Sequence, residues 1–258
     1  MAGKINICCF DKTGTLTQND LEIRGIAGLG TTSQERKETH AMDKIFHKDK
    51  NTALTLGGAH TLAFADGAII GDPIEKQSFE GINFKQNEKG LRESYGPQNI
   101  KITQVKKFAF NSTLKRMSVL AQVSEPSGNS IRVFSKGAPE VLKNFMKDVP
   151  ADFEQIYLDY VKNGGRVLAL GYKYVPKMSM PDMLAYTREE AERDLIFAGF
   201  IIAECPLKPD TGDVIQELKD SSHEVKMITG DNAMTAAFIG QQLKFGRGPS
   251  LFATEASQ

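Results

Sequence analysis

Asp11-Lys12-Thr13-Gly14-Thr15-Leu16-Thr17 follows a short, mostly apolar run over residues 5–10, so the Asp11 carboxylate stands at the carboxyl end of an expected buried strand. Ligands of open α/β sheets bind outside such ends. A carboxylate there can attack a phosphoryl group to give an acyl phosphate, and a turn rich in glycine and hydroxyls brings backbone N–H groups close to phosphoryl oxygens. The plain alternative is an ordinary Asp-Lys-Thr-Gly turn. The pattern recurs near the other end, where Val225-Lys226-Met227-Ile228 reads as a second short strand, ends in Thr229-Gly230-Asp231 and precedes a helical stretch over residues 233–243.

The elements that must position these residues come in two styles. Before the second strand, Asp210 or Thr211 can cap a helix whose Val214, Ile215 and Leu218 share one face, a helix-then-strand unit of a doubly wound fold. The two ends of the chain thus read as halves of one α/β domain. Between them residues 101–110, 117–123 and 131–135 read as strands, with a Pro126-Ser127-Gly128-Asn129 turn joining the last two, which is antiparallel grammar. Helices are expected over residues 139–146, over 152–162 with Gly164 and Gly165 as the stop, and over 181–193. Residues 31–51 are polar and without clear period, a surface excursion with room for one helix. The expectation is an α+β domain, residues 20–204, inserted into an α/β domain made of residues 1–19 and 205–258.

With 258 residues, 25% charged and 40% hydrophobic, the chain has the composition of a folded protein of two domains. Lys+Arg and Asp+Glu both total 32, so there is no general electrostatic pull toward nucleic acid or anionic lipid. The longest apolar run, about residues 195–203, is far shorter than the roughly 20 residues a membrane-spanning helix needs. No membrane insertion of this stretch is expected. Residues 1–10 lack the pattern of a signal peptide. Cys8, Cys9 and Cys205 are the only cysteines, and adjacent strand residues face opposite ways, so reduced thiols are expected. His40, His47, His60 and His223 have no ligand spacing and are expected at the surface or at helix edges. The run over residues 35–38 reads as a solvated face.

The heptad from Asp11 to Thr17 matches in full the phosphorylation motif of P-type ATPases, within the haloacid-dehalogenase-like superfamily, and Thr229-Gly230-Asp231 matches their second phosphate-site motif. The resemblance implies a haloacid-dehalogenase-like Rossmannoid phosphorylation domain, here incomplete, with an inserted α+β nucleotide-binding domain built on an antiparallel sheet. It makes Asp11 the nucleophile that takes the γ-phosphate of ATP, with Lys12, Thr13, Thr229 and Gly230 in the catalytic site. It implies Mg²⁺ held in part by Asp11 and Thr13, with the remaining ligand expected beyond Gln258. Related phosphatases carry a second aspartate where this chain has Thr13; without that base the aspartyl phosphate persists and can drive a conformational cycle. Cys205 to Asp210 falls at the family's Asp-Pro-Pro-Arg-like hinge, with Cys205 in place of its leading Asp. In the inserted domain, Lys136-Gly137-Ala138-Pro139-Glu140 matches the lysine-glycine-alanine motif. Phe110 matches the phenylalanine on which adenine stacks, with Lys115 and Met117 lining the same pocket. Glu75 of Gly71-Asp72-Pro73-Ile74-Glu75 resembles the glutamate at the adenine edge, and Arg166 an arginine that reaches the phosphates.

Residues 2–4, 8–10 and 21–29, with 71–75 and 111–120 in agreement, resemble the type-five, subgroup A, P-type ATPases of the endoplasmic reticulum. The resemblance implies a stretch on the cytosolic face of a membrane protein, soluble as an isolated piece, whose partners are nucleotide and the actuator and membrane domains of the same pump, acting in cation transport or in extraction of transmembrane helices. A soluble phosphatase of the same superfamily, or a polyamine or calcium pump, is the nearest rival. The family's Gly-Asp-Gly-x-x-Asn-Asp motif, whose carboxylate is the further Mg²⁺ ligand, does not occur in the 258 residues up to Gln258. The expectation is that the piece binds nucleotide and scarcely phosphorylates itself.

Overall fold

The computed structural model describes residues 5–19, 21–87, 93–230 and 233–246. In chain order its strands are β1 (Ile7–Asp11), β2 (Glu22–Ala27), β3 (Ala63–Ala65), β4 (Ala68–Ile70), β5 (Lys85–Gln86), β6 (Glu93–Gly96), β7 (Ile100–Asn111), β8 (Arg116–Glu125), β9 (Gly128–Gly137), β10 (Met146–Lys147), β11 (Arg166–Val175), β12 (Leu195–Glu204) and β13 (Glu224–Ile228). Its α-helices are α1 (Ser33–Lys37), α2 (Ile45–Lys48), α3 (Lys50–Gly58), α4 (Pro73–Gly81), α5 (Pro139–Leu142), α6 (Phe153–Lys162), α7 (Met180–Ala185), α8 (Arg188–Glu192), α9 (Thr211–Asp220) and α10 (Ala233–Gln242). The chain divides into two compact units, residues 23–157 with 167–203, and residues 1–22, 158–166 and 204–258.

The larger unit is organised by one sheet of nine strands, in the order β10-β12-β11-β9-β8-β7-β6-β5 with β2 beside β12. Its centre is the β8–β9 hairpin, paired without a break from Arg116–Gly137 to Glu125–Gly128 and closed by Pro126 and Ser127. Six of the first eight residues of β8 are buried, in a nearly continuous run, the mark of a strand covered on both faces. One face receives α3, whose Gly57 and Gly58 let the helix approach so closely that a Cβ on either would run into Phe84 or Phe134. The other face receives α8, where Glu192 reaches Ser118 of β8. Phe153, Tyr157, Phe197 and Phe200 pack edge-on or tilted against one another as an aromatic cluster near β12.

Three expectations are corrected here. Residues 31–51 carry more than the one helix expected: the stretch holds α1, α2 and the start of α3, and although most of it is exposed or half-buried, Ile45 and Phe46 are buried. Every residue from Thr52 to Gly58 of α3 is buried, so no amphipathic period could announce that helix. The helix expected over residues 181–193 is two, because capping boxes at Ser179 with Asp182 and at Thr187 with Glu190 each start a new helix. The helix from Pro139 stops at Leu142 and tightens into a 3₁₀ turn over Lys143–Phe145, after which β10 joins β12 in parallel.

In the smaller unit β1 and β13 pair in parallel, from Ile7 opposite Glu224 to Asp11 opposite Ile228. Leu16, Ile215, Val225, Ile239 and Leu243 form its buried core. Helix α9 uses a narrower face than its sequence implies: Thr211 and Ile215 are buried while Val214 is exposed. Neither expected cap forms, since Asp210 makes no side-chain cap bond and the Thr211 hydroxyl donates instead to the Leu16 carbonyl at 2.8 Å. No helix among the described residues is long and apolar enough to cross a membrane.

Candidate functional site

In the smaller unit the parallel pairing of Asp11 with Ile228 puts two strand ends side by side, so Asp11 and Thr229-Gly230 leave their strands at the same edge. Asp11 is exposed and its Oδ1 accepts a bond from the Lys12 amide at 2.7 Å. The chain then turns tightly over Lys12–Leu16, with Lys12 buried and Thr13 exposed. Gly14 takes φ +79° at a point where a Cβ would collide with the Asn19 side chain, so glycine is required there. The turn is tied from its far side: the Thr17 amide bonds to the Lys12 carbonyl, the Lys208 amide to the Leu16 carbonyl, and the Gln18 amide to the Pro206 carbonyl. Lys208 Nζ donates to the Gly14 carbonyl at 2.6 Å, and the Cys205 thiol to the Gln18 carbonyl at 2.9 Å. The hinge-like segment thus braces the loop that bears Asp11.

The donors expected for a metal at this loop are Asp11 and Thr13. No cluster of three or more His, Cys, Asp or Glu side chains occurs among the described residues. Asp11 and Thr13 therefore bring a single carboxylate and neutral oxygens, a donor set that fits a hard cation which keeps most of its waters. Asp231 lies outside the described residues.

In the larger unit three adjacent strands end together. Met117 of β8 is the cross-strand partner of Lys136 of β9, and Arg116 of Gly137. On β7 the pairing shifts between Phe108, opposite Ser118, and Asn111, opposite Arg116, so Ala109 and Phe110 stand against Met117 alone. That extra residue is a bulge, a device that re-aims a side chain. Met117 is buried and the Phe110 ring is 61% exposed. Between β7 and β8, the Asn111 Oδ1 accepts the Thr113 and Leu114 amides and Lys115 adopts φ +49°. Its ammonium stands 3.8 Å from Glu140, and its carbonyl accepts the Ala138 amide at 3.0 Å. A Cβ at Gly137 would clash with that carbonyl and with Arg116.

Glu75 reaches this sheet end from α4. Asp72 caps the helix by accepting the Ile74 and Glu75 amides, and Pro73 fixes its first turn, so Glu75 enters on the first turn. Its Oε1 lies 2.8 Å from Lys136 Nζ, with both side chains largely buried. Its Oε2 accepts the Thr61 amide at 2.7 Å and the Thr61 hydroxyl at 2.8 Å. Burial alone would raise the Glu75 carboxyl, but the Lys136 ammonium and the Thr61 donors outweigh it and hold it below the usual range. Burial also lowers Lys136, against the pull of Glu75 and Asp72. The two residues singled out separately in the sequence are therefore partners in one ion pair. Arg166 is exposed at the start of β11 and groups with the smaller unit.

His60, expected at the surface or a helix edge, is instead 3% exposed. It follows the C-cap of the buried α3, stands edge-on to Phe79, accepts the Leu62 amide at Nδ1 and so donates from Nε2 to Ser94 Oγ. Burial, aided by the Lys136 charge, lowers its pKa from 6.5 to about 3. The folded chain therefore holds His60 neutral while the unfolded chain takes up a proton below its ordinary pKa. Stability is accordingly complete above pH 6.5 and falls as the pH drops from 6.5 toward about 3, by up to roughly 1.4 kcal/mol per pH unit. Urea unfolding at a series of pH values reads that slope, and His60→Gln is expected to flatten it.

A family model described as P-type ATPase, cytoplasmic domain N, matches residues 93–210, a stretch that contains Phe110, Lys115, Met117, Lys136, Gly137 and Arg166. The chain is 41% identical over 252 residues to the "Probable manganese-transporting ATPase PDR2" of Arabidopsis thaliana, an alignment covering 97% of this chain and 20% of that protein. It is 38% identical to the "Endoplasmic reticulum transmembrane helix translocase" of Schizosaccharomyces pombe, over 97% of the chain and 21% of that protein. The protein of the same name in Saccharomyces cerevisiae is 35% identical, over 100% of the chain and 20% of its own length. The chain spans about a fifth of the length of these curated relatives. On these matches the chain belongs to the P-type ATPase family, in its type-five subgroup A.

Proposed function

We propose that this chain is the nucleotide-binding and phosphoryl-accepting region of a P-type ATPase, and that its larger unit holds ATP at the sheet end marked by Phe110. The observation that carries the reading is the exposure of Phe110, 61%, on a bulge beside the buried Met117–Lys136 pair. A phenylalanine ending an apolar strand is normally core; this one presents a free ring face. Adenine stacks on that ring, with Met117 as the apolar floor and Glu75 accepting from the base edge while Lys136 keeps it ionised. Gly137 lets the backbone come close, and Lys115 supplies cationic reach to the phosphates. The β1–β13 pair with α9 and α10 is the corresponding part of a haloacid-dehalogenase-like Rossmannoid domain, and the domain boundaries fall near residues 20 and 205.

In the reaction, an Asp11 carboxylate oxygen bonds to the γ-phosphorus as the bond to the β,γ-bridging oxygen breaks, and ADP leaves. The turn after Asp11, with Lys12 and Thr13, and the neighbouring Thr229-Gly230 hold the phosphoryl oxygens. Mg²⁺ held by oxygens of Asp11 and Thr13 supplies charge neutralisation when bound. Thr13 offers no carboxylate to activate water, so the acyl phosphate lasts long enough to drive a conformational change. The whole protein would then work at the cytosolic face of the endoplasmic reticulum with its own actuator and membrane domains, translocating transmembrane helices as the two yeast relatives are named to do. Manganese transport, in the name of the plant relative, is the second reading.

Titration calorimetry of ATP into the 258-residue chain tests the pocket. Stacking of a base on an aromatic ring contributes about 1–3 kcal/mol, so Phe110→Ala is expected to weaken ATP binding by roughly five- to a hundredfold. Equal affinity in the two proteins would remove the pocket from Phe110.

A further inference from the structure

Glu192 lies on α8, against the face of the sheet that carries Ser118 and Ser135, and is 1% exposed. Its Oε2 accepts from Arg116 Nε at 2.7 Å. Its Oε1 accepts from Ser118 Oγ at 3.0 Å and from Arg188 Nη1 at 3.3 Å. A carboxylate only accepts, so the Ser118 hydroxyl proton is committed to Glu192. The 2.8 Å contact between Ser118 and Ser135 then runs one way, with Ser135 donating.

The residues gripped in this way alternate along the strands with those assigned to nucleotide. Arg116 and Ser118 flank Met117, and Ser135 precedes Lys136. The Arg116 guanidinium also donates to the Leu114 carbonyl in the turn before Lys115 and stacks 4.1 Å from the centre of the Phe145 ring. The third strand is reached through Arg188. Its Nη2 donates to the Ala109 carbonyl at 2.7 Å, and its guanidinium lies over the Phe108 ring at 5.7 Å. Ala109 is the first residue of the bulge that presents Phe110. One buried carboxylate thus ties the ends of β7, β8 and β9 together from behind.

We propose that Glu192 and Arg188 are positioning residues for nucleotide: a clamp on the reverse face that holds the Phe110 bulge at a fixed offset from the Met117–Lys136 pair. This rests on the reading of the Phe110 end as the nucleotide pocket. A planar guanidinium can reach a carboxylate and a carbonyl at once, whereas an ammonium is a point donor. Arg188→Lys therefore keeps the charge but cannot span Glu192 and Ala109.

The test uses the 258-residue chain with Arg188→Ala, Arg188→Lys and Glu192→Gln, and with Phe153→Leu as a variant destabilised in the aromatic cluster. Arg188 is partly exposed, so its variants keep the fold even if Glu192→Gln does not. The readouts are ATP affinity, melting temperature, and the backbone amide shifts of Phe110, Met117 and Gly137. Arg188→Ala and Arg188→Lys are expected to weaken ATP binding roughly three- to tenfold and to move the Phe110 amide, with a melting temperature no lower than that of Phe153→Leu. Phe153→Leu is expected to bind ATP like the parent chain. Affinity lost in Phe110→Ala but unchanged in both Arg188 variants would overturn the clamp and leave the pocket standing. Affinity that merely follows melting temperature across all variants would also overturn it. A parent chain that binds no ATP, or binds it equally well without the Phe110 ring, would overturn the pocket and the clamp together.

Discussion

Asp11→Asn in the intact protein is expected to abolish the acid-stable label taken up from γ-labelled ATP and to cut ATP turnover by on the order of 10⁴-fold or more, the scale seen when a covalent nucleophile is removed. Asparagine keeps the shape, and its Oδ1 can still accept the Lys12 amide that Asp11 accepts at 2.7 Å. The loop is held by backbone bonds from Thr17, Gln18 and Lys208 that do not involve the carboxylate, so the local fold should persist. What disappears is an anionic oxygen able to bond to phosphorus. ATP affinity of the 258-residue chain should stay within about twofold, because the contacts assigned to ATP at the Phe110 end do not involve the Asp11 carboxylate. Acid-stable label of undiminished intensity in the Asn variant would place the phosphoryl acceptor elsewhere.

The second large effect is expected at the Glu75–Lys136 pair. Lys136→Ala leaves a carboxylate with 8% side-chain exposure facing only the two Thr61 donors. Removing one partner of a buried pair costs about 3–5 kcal/mol, so urea unfolding should show a loss of that size, with ATP binding lost or severely weakened. Glu75→Gln/Lys136→Met removes both charges and should cost much less than the two single changes summed. The pH dependence follows from the same contacts. Glu75 is held below its ordinary 4.5, so its contribution to stability is present above that value and lost as the pH falls through the lower folded value. Without Lys136 burial pushes the carboxyl up toward or past 4.5, so this acid-dependent loss shrinks or changes sign and acid costs the variant less than the parent chain. A change of less than about 1 kcal/mol in Lys136→Ala would mean that the pair is solvated and energetically idle.

The legible features are those governed by local chemistry. An apolar run ending in an aspartate and a glycine turn marks a strand end, and β1 stops at Asp11 as that grammar requires, although it is not the buried strand expected, since none of its five residues is buried. Pro126 and Ser127 close the hairpin they announce. The hidden features depend on residues far apart in sequence. Helix α3 is buried on every side from Thr52 to Gly58, so its period carries no signal. His60 carries no mark in the sequence that it is enclosed by Phe79 and Ser94. Glu75 and Lys136 each point to a ligand individually, and only the meeting of α4 with the end of β9 makes them a pair. Glu192 is harder still. It stands in the charged run Arg188 to Asp194, in the stretch expected as part of one helix, and only the packing of α8 against β8 buries it. The capping boxes at Ser179 and Thr187 are readable in retrospect: a serine or threonine followed three residues later by an acid signals a helix start, and two such signals divide the stretch.

The central claim is that nucleotide occupies the Phe110 end of the larger unit's sheet. Amide chemical-shift mapping of an ATP titration into the ¹⁵N-labelled 258-residue chain tests it most directly. The expected result is that saturable shifts gather at Glu75, Phe110, Lys115 to Met117 and Lys136 to Ala138, and fade or vanish in Phe110→Ala. Saturable shifts confined to the loop after Asp11, or spread over the α6 and α9 surfaces with the Phe110 end unmoved, would contradict it.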